Sequence, residues 1–428
     1  MKAITQILLL AIFVSQANAQ RVCGDQAYMQ HLLSSNPSAA QSINNAERQM
    51  KNATAPNRPS GAERDTATNE LINIPVVIHV LYNNATQNIS DAQILSQLEV
   101  LNNDFSNKNA DRVNTPLAFT SFVADSRIKF CLAQLDPQNR RTTGIIRKNT
   151  SISLFAADDA MKSNERGGST GWDSKKYLNI WVCTLEGRSL GYATPPGSPT
   201  ELDGVVIAYD VFGTTANTRA PFNKGRTATH EVGHWLGLKH LWGDTNCGDD
   251  GVDDTPRQRS YNFGCPSFPR VTTCSPNADG DMFMDFMDFS DDACMNMFTQ
   301  GQKKRMRSLF ATGNARNSFL VSFACDSTLV QSGPTNGGGT APVVTPAAVE
   351  AVNVYPNPTH STFTIDIKAT TTIETKTIQI YNSVGVCVYK GQVSQQKTSI
   401  SIANFPAGVY TFQLGENSNR ITKKIVKL

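Results

Sequence analysis

Three of the six histidines in this 428-residue chain fall within eleven residues, as His230-Glu-Val-Gly-His234-Trp-Leu-Gly237-Leu-Lys-His240. On a helix, residues four apart share one face with Cβ atoms about 5–6 Å from each other. His230 and His234 can therefore offer two imidazole nitrogens to one zinc ion, with Glu231 beside them near an open ligand position. His240 would lie two turns further along a continued helix, too far to reach the same metal. Gly237 removes that difficulty, because glycine tolerates the left-handed conformation that ends a helix and lets the chain turn back. A lone histidine is usually a satisfied core or surface residue. By the chain's own composition, His-Glu-x-x-His alone arises by chance in roughly 1 of 100 such chains, and the full spacing in about 1 of 100,000. The spacing therefore predicts a metal site. A zinc ion held this way acidifies water toward a pKa of about 7, and Glu231 is the base positioned to take the proton.

Elements must position these residues. Ile74-Pro-Val-Val-Ile-His-Val-Leu81 predicts an apolar strand, and Ser90 an N-cap. In the helix that follows, Ile94, Leu98, Leu101 and Phe105 make one core-facing stripe. Strands are expected over 128–134, 177–184 and 204–209, so the centre of the chain reads as a mixed α/β domain. Val232, Trp235, Leu236 and Leu238 are core, not chemistry. Between residues 20 and about 65 the composition is polar, which argues against a catalytic core there.

The ends read as addresses. Lys2, the apolar run Ile7 to Val14 and Ala17-Asn-Ala19 describe a secretory signal over 1–19. Export places the nine cysteines where disulfides persist. The run is too short to cross a bilayer, and a net charge of +3 spread over the chain gives nucleic-acid binding no support. Ser332 to Pro342 is a flexible linker by composition. Beyond it, period-two alternation at Phe363, Ile365 and Ile367, at Ile378 and Ile380, and at Ile400 and Ile402 predicts a small all-β sandwich. Val354-Tyr-Pro-Asn-Pro358, Gly408-Val-Tyr410 and Lys423-Lys-Ile-Val-Lys-Leu428 resemble the C-terminal sorting domain of the type IX secretion system of Bacteroidetes. That likeness implies secretion through the periplasm and outer membrane, with the secretion machinery as a partner. A glycan- or protein-binding sandwich is the competing reading. The expected plan is signal 1–19, pro-segment 20–65, catalytic domain 66–327, linker 328–348 and sorting domain 349–428.

The histidine motif is the signature of the metzincin metalloproteases, and Asp285-Phe-Met287-Asp-Phe289 fits their methionine turn. Met287 is then a hydrophobic floor, not a ligand. Val252-Asp-Asp-Thr-Pro256 and Met287-Asp-Phe-Ser-Asp-Asp-Ala-Cys-Met-Asn-Met297 make the stretch from Ile74 to Phe310 resemble the pappalysin family, its bacterial ulilysin-like members in particular. The four cysteines between 247 and 294 allow three pairings, and the sequence does not choose among them. The resemblance implies Cys247–Cys274 and Cys265–Cys294. It also implies calcium on Asp250, the Val252 carbonyl and Thr255, within a loop whose hard oxygens suit that ion. Cys23 would hold the zinc in a zymogen, the cysteine switch, with Arg58 and Arg64 as activation cuts. The strand over 177–184 resembles the edge strand on which metzincins pair an extended substrate. Asp291 and Asp292 would line the pocket after the scissile bond and favour Arg or Lys there.

One departure matters: the family turn carries tyrosine where this chain has Phe289, so a hydroxyl that helps hold ligand or intermediate is missing. The expectation is a secreted zinc-dependent endopeptidase acting on protein or peptide substrates. The alternative is a catalytically weak, zinc-stabilised surface binding protein. Cys131, Cys183, Cys325 and Cys387 have no assigned role.

Overall fold

Ile72–Tyr82 forms β1, with all but its second and last residues buried, as expected of a strand covered on both faces. It is the hub of a six-stranded sheet in a computed structural model that describes residues 23–54, 70–322 (apart from 216 and 276–277), 324–325 and 351–428 (apart from 358, 369–375, 383–386 and 415–420). The signal segment, Arg58 and Arg64, the linker and part of the 382–385 turn lie outside the described residues. The chain divides into two compact units, Met1–Gly333 and Pro334–Leu428.

In the first unit β1 pairs in parallel with β2 (Ile128–Leu132), β3 (Ile145–Asn149) and β4 (Leu178–Cys183). Outside β4 lies β6 (Val205–Ala208), also parallel, and then β5 (Gly191–Ala193), antiparallel to β6. Helix α3 (Asp91–Phe105) starts at Ser90, whose hydroxyl accepts from Gln93 N, and buries Ile94, Leu98, Leu101 and Phe105. The stripe read from periodicity is the buried face. Helices α4 (Arg226–Trp235) and α5 (Gln300–Ser308) complete this mixed α/β layer.

One expectation changes. The strand over 177–184 is not an edge: β4 has a neighbour on each side and six consecutive buried residues. The edge is the three-residue β5, too short for any periodicity to show. Within the polar segment, the described residues 23–54 are mostly helical. Asp25–Ser35 (α1) and Ala39–Thr54 (α2) are helices, and Tyr28, Leu32 and Met50 sit in the same core as the sheet. Few apolar residues are needed because each fills a site offered by the larger domain.

Three disulfides brace this unit. Cys247–Cys274 and Cys265–Cys294 are paired as the resemblance implied. Cys131–Cys325, separated by 194 residues, ties β2 to the end of the unit. Cys23, Cys183 and Cys387 are free.

The second unit is an antiparallel sandwich. One sheet runs in the order β10 (Cys387–Val393), β9 (Lys376–Tyr381), β12 (Gly408–Leu414), β13 (Ile421–Lys427). The other is β11 (Lys397–Ser401), β8 (Thr362–Lys368), β7 (Ala351–Tyr355). Phe363, Ile365, Ile367, Ile378, Ile380, Ile400 and Ile402 meet in its core. These are the alternating positions that predicted it.

Candidate metal centre

Helix α4 carries the motif, and its start is pinned from three directions. Asp292 Oδ2 accepts from the backbone N–H groups of Lys224 (2.9 Å) and Arg226 (3.2 Å), satisfying donors that the helix itself leaves open. The Arg226 guanidinium pairs with Asp104 at 3.1 Å and Asp111 at 3.0 Å. Thr229 donates to Asp104 at 2.6 Å, tying α4 to α3. Asp292 is thus fully buried at the helix start, a structural task the sequence did not reveal, while Asp291 is only partly buried.

The helix stops where Gly237 predicted. Leu238 N donates to Gly233 O (2.9 Å) and Gly237 N to His234 O (2.8 Å), a Schellman arrangement with Gly237 at φ +82°. The chain reverses and brings His240 back over His230 and His234. The three Nε2 atoms then lie 3.0, 3.1 and 3.3 Å from one another. Ligands at zinc–nitrogen distances of about 2.0–2.1 Å in a tetrahedral site stand about 3.3 Å apart.

Each ring's other nitrogen is already committed. His230 Nδ1 meets Phe286 O at 2.6 Å, His234 Nδ1 meets Leu238 O at 2.9 Å, and His240 Nδ1 meets Asp244 Oδ1 at 2.6 Å. A carbonyl or carboxylate oxygen can only accept, so the hydrogens sit on Nδ1 and three Nε2 lone pairs face one point. Three converging acceptors repel each other unless a cation lies between them, so the residues present fit the metal. By contrast His79, with Ser169 at 2.9 Å and Asn179 at 3.1 Å, is an ordinary core histidine whose pKa burial pushes down to about 4.

Beneath the centre, Met287 is fully buried and packs so closely on Gly233 that a Cβ there would come within 2.5 Å of Met287 Sδ. Phe289 closes one side, its ring 4.9 Å from those of His240 and Trp242 and 5.4 Å from that of Tyr261. Glu231 is nearly fully buried beside Gly191 of β5.

The N-terminal segment crosses the front. Cys23 pairs with Gly191 in a parallel bridge, and Gly24 N donates to Gly191 O at 2.9 Å. The Cys23 sulfur and the three histidines offer ligand atoms all within 4.8 Å of one another, and Sγ lies 3.7 Å from Glu231 Oε2. Asp25, absent from the sequence reading, joins them. Its Oδ1 accepts from Ala193 N at 2.9 Å, and its Oδ2 lies 2.9 Å from His234 Nε2. Burial opposes charge on His234, yet the carboxylates of Asp25 and Glu231 favour positive charge at this point, whether it is a proton or a metal ion. Nothing in Cys23-Gly-Asp25 distinguishes that aspartate from any other; only its place in the fold does.

The acidic loop also assembles. Thr255 Oγ1 donates toward Asp250 Oδ2 and Val252 O, both at 2.9 Å, and burial raises Asp250 to about 7. Asp254, in the same loop, instead accepts from Thr299 (2.6 Å) and Gly301 N (2.8 Å) at the start of α5.

A three-histidine cluster on a helix-and-turn, over a methionine floor and beside a sheet edge, defines a metalloendopeptidase of the metzincin type. Comparison with known proteins agrees. The family described as pregnancy-associated plasma protein-A matches residues 162–311, and the secretion system C-terminal sorting domain matches 353–428. An extracellular metalloprotease of Pyricularia oryzae is 35% identical over 255 residues, 57% of this chain and 77% of the relative. Among solved structures, a Glu-to-Ala mutant of Tannerella forsythia promirolysin is 45% identical with a TM-score of 0.63, covering 70% of this chain and 97% of that one. Mature mirolysin of the same organism, in complex with a cleaved peptide, is 48% identical with a TM-score of 0.59, covering 61% and 99%. The chain belongs to the pappalysin family of metalloproteases, and its tail sends it to the extracellular space by type IX secretion. No helix among the described residues is long and apolar enough to cross a membrane.

Proposed function

We propose that this chain is the zymogen of a zinc endopeptidase, in which His230, His234 and His240 hold the metal and Glu231 is the proton carrier. Cys23 fills the remaining ligand position until the pro-segment is removed. The observation that carries this reading is the convergence of three Nε2 lone pairs with every Nδ1 hydrogen already committed. When bound, zinc supplies a Lewis acid that polarises the scissile carbonyl and makes water acidic enough to lose a proton near neutral pH. Glu231 accepts that proton as the water oxygen adds to the carbonyl carbon. It then returns the proton to the amine nitrogen as the C–N bond breaks. Gly191 and Ala193 of β5 offer backbone groups for pairing an extended peptide, the same groups that Gly24 and Asp25 occupy here.

Two finer readings rest on the same frame. Calcium would sit on Asp250, the Val252 carbonyl and Thr255, where a desolvated carboxylate gains most from a hard cation. Asp291 and Asp292 would give a preference for Arg or Lys after the scissile bond, with the Asp292 carboxylate held in place by two backbone N–H groups.

Phe289 is the observation favouring a weaker enzyme, since loss of an oxyanion donor costs about 10²–10³ in rate. Cleavage of a denatured protein by the chain and by its Glu231→Ala variant, with and without chelator, separates the readings. The protease account expects chelator-sensitive turnover that the variant lacks. Equal turnover by both would overturn it.

A further inference from the structure

The pro-segment places one side chain deeper than its cysteine. Tyr28, in the first turn of α1, is fully buried, and its ring centre lies 4.4 Å from that of the tilted Tyr192 ring on the edge strand β5. Its hydroxyl donates to Asp159 Oδ1 at 3.0 Å and accepts from Lys162 Nζ at 3.1 Å. Lys162 has no exposed side-chain surface. Its ammonium pairs with Asp159 at 2.7 Å, donates to Leu202 O at 2.8 Å and lies 4.8 Å from the centre of the Tyr28 ring. Tyr192 is held in turn by its own hydroxyl on Met161 Sδ at 3.0 Å, and Asp159 keeps its place in a left-handed conformation at φ +64°.

Apart from Tyr28, every group in this socket belongs to the catalytic domain. A buried lysine–aspartate pair is an expensive way to line a hole, because both charges give up water. An anchor that needed only to hold the pro-segment could be apolar throughout. The socket instead presents one donor and one acceptor at its base and aromatic walls above, the complement of a phenol. Its wall residue Tyr192 sits between Gly191 and Ala193, the two residues whose backbone groups are occupied by Gly24 and Asp25. Departure of the pro-segment therefore frees the strand edge and the socket together.

We infer that this socket is a substrate subsite of the mature protease, taking a tyrosine side chain of an extended peptide paired along β5, with Tyr28 as its stand-in before activation. The inference rests on the protease reading and extends it to a residue away from the scissile bond. A phenylalanine fills the aromatic walls but leaves the two charges facing its ring edge. Hydrogen bonds to charged groups set the difference at about 10–100-fold in favour of tyrosine.

The test uses the chain processed between residues 55 and 69 and a peptide set in which Tyr, Phe or Ala is moved through four positions on each side of a cleavable bond. One position is expected to favour Tyr over Phe by at least about tenfold in kcat/KM, and a Lys162→Met variant to bring that ratio near one. The ratio is read within each variant, so a general loss of activity does not imitate the effect. The processed Glu231→Ala form reads the same preference as binding, by fluorescence anisotropy, without turnover and whether or not the lysine variant folds. Equal binding of Tyr and Phe peptides at every position would overturn the socket. Preferential Tyr binding with no cleavage by the unmutated chain would leave the socket standing and bring down the catalytic reading instead.

Discussion

Replacing Glu47 with glutamine should release the proposed pro-segment sooner. Glu47, on α2, pairs with Lys239 at 2.8 Å through Oε1 and with Arg305 through Oε2. Lys239 sits in the turn that presents His240, and Arg305 donates to the carbonyl of Gly237 in the same turn at 2.7 Å. Arg305 has no exposed side-chain surface, while Glu47 retains about a quarter of its own (24%), so the pair is screened on one side only. Breaking a fully buried ion pair costs about 3–5 kcal/mol. Discounting for the exposed side gives about 2 kcal/mol, roughly a 30-fold rise in the undocked population. Burial alone would raise the Glu47 pKa, but Arg305 and Lys239 together hold it below the usual range. A depressed carboxylate contributes fully above its unfolded pKa of about 4.3 and loses that contribution as pH falls through the folded value. Acid should therefore loosen docking of the unmutated chain and change the glutamine variant less. The assay is the rate at which processed protein appears on a gel at pH 7.5 and at about pH 3.5, below the unfolded value of the carboxylate, with Cys23 intact. If Glu47→Gln matures at the unmutated rate at neutral pH, α2 does not hold the pro-segment through this pair.

Other substitutions probe the centre and its supports. Asp244→Ala removes the acceptor for His240 Nδ1 and should weaken zinc by about 10–100-fold in a chelator competition, with little change in fold by circular dichroism. Gly237→Ala must adopt φ +82° and place a Cβ within 2.3 Å of Met50 Sδ. It should destabilise the zymogen by at least about 1–2 kcal/mol in urea unfolding, and unchanged stability would contradict the helix-ending role. Calcium should raise the melting temperature of the unmutated chain and not that of Asp250→Asn, and a rise that persists in the variant would move the ion elsewhere.

Local geometry explains what the sequence disclosed. The histidine motif, Gly237, the Ser90 cap and the stripe of α3 all follow from spacings within a dozen residues, which helix geometry converts directly into faces and ends. The sandwich was legible for the same reason, through alternation along single strands. What escaped notice depends on residues far apart in the chain. Asp25 reaches His234, Glu47 reaches Arg305, and Cys131 reaches Cys325, each pair joined only by the tertiary fold. The edge strand β5 was missed because three residues carry no period, and β4 was mistaken for it because its apolar run announces a strand without saying how many neighbours it has. Asp292 also carries a task that no local pattern shows, since one of its oxygens holds the start of α4 from residues 66 and 68 positions away.

The central claim is most directly tested by metal analysis of the purified full-length chain beside a His240→Ala variant, using mass spectrometry after exhaustive dialysis at pH 7.5. The account predicts one tightly held zinc per chain in the first, over any ion bound at the acidic loop, and its loss from a still-folded second. A chain that retains no zinc, or a variant that keeps it at full occupancy, would contradict the convergence of His230, His234 and His240 on a single ion.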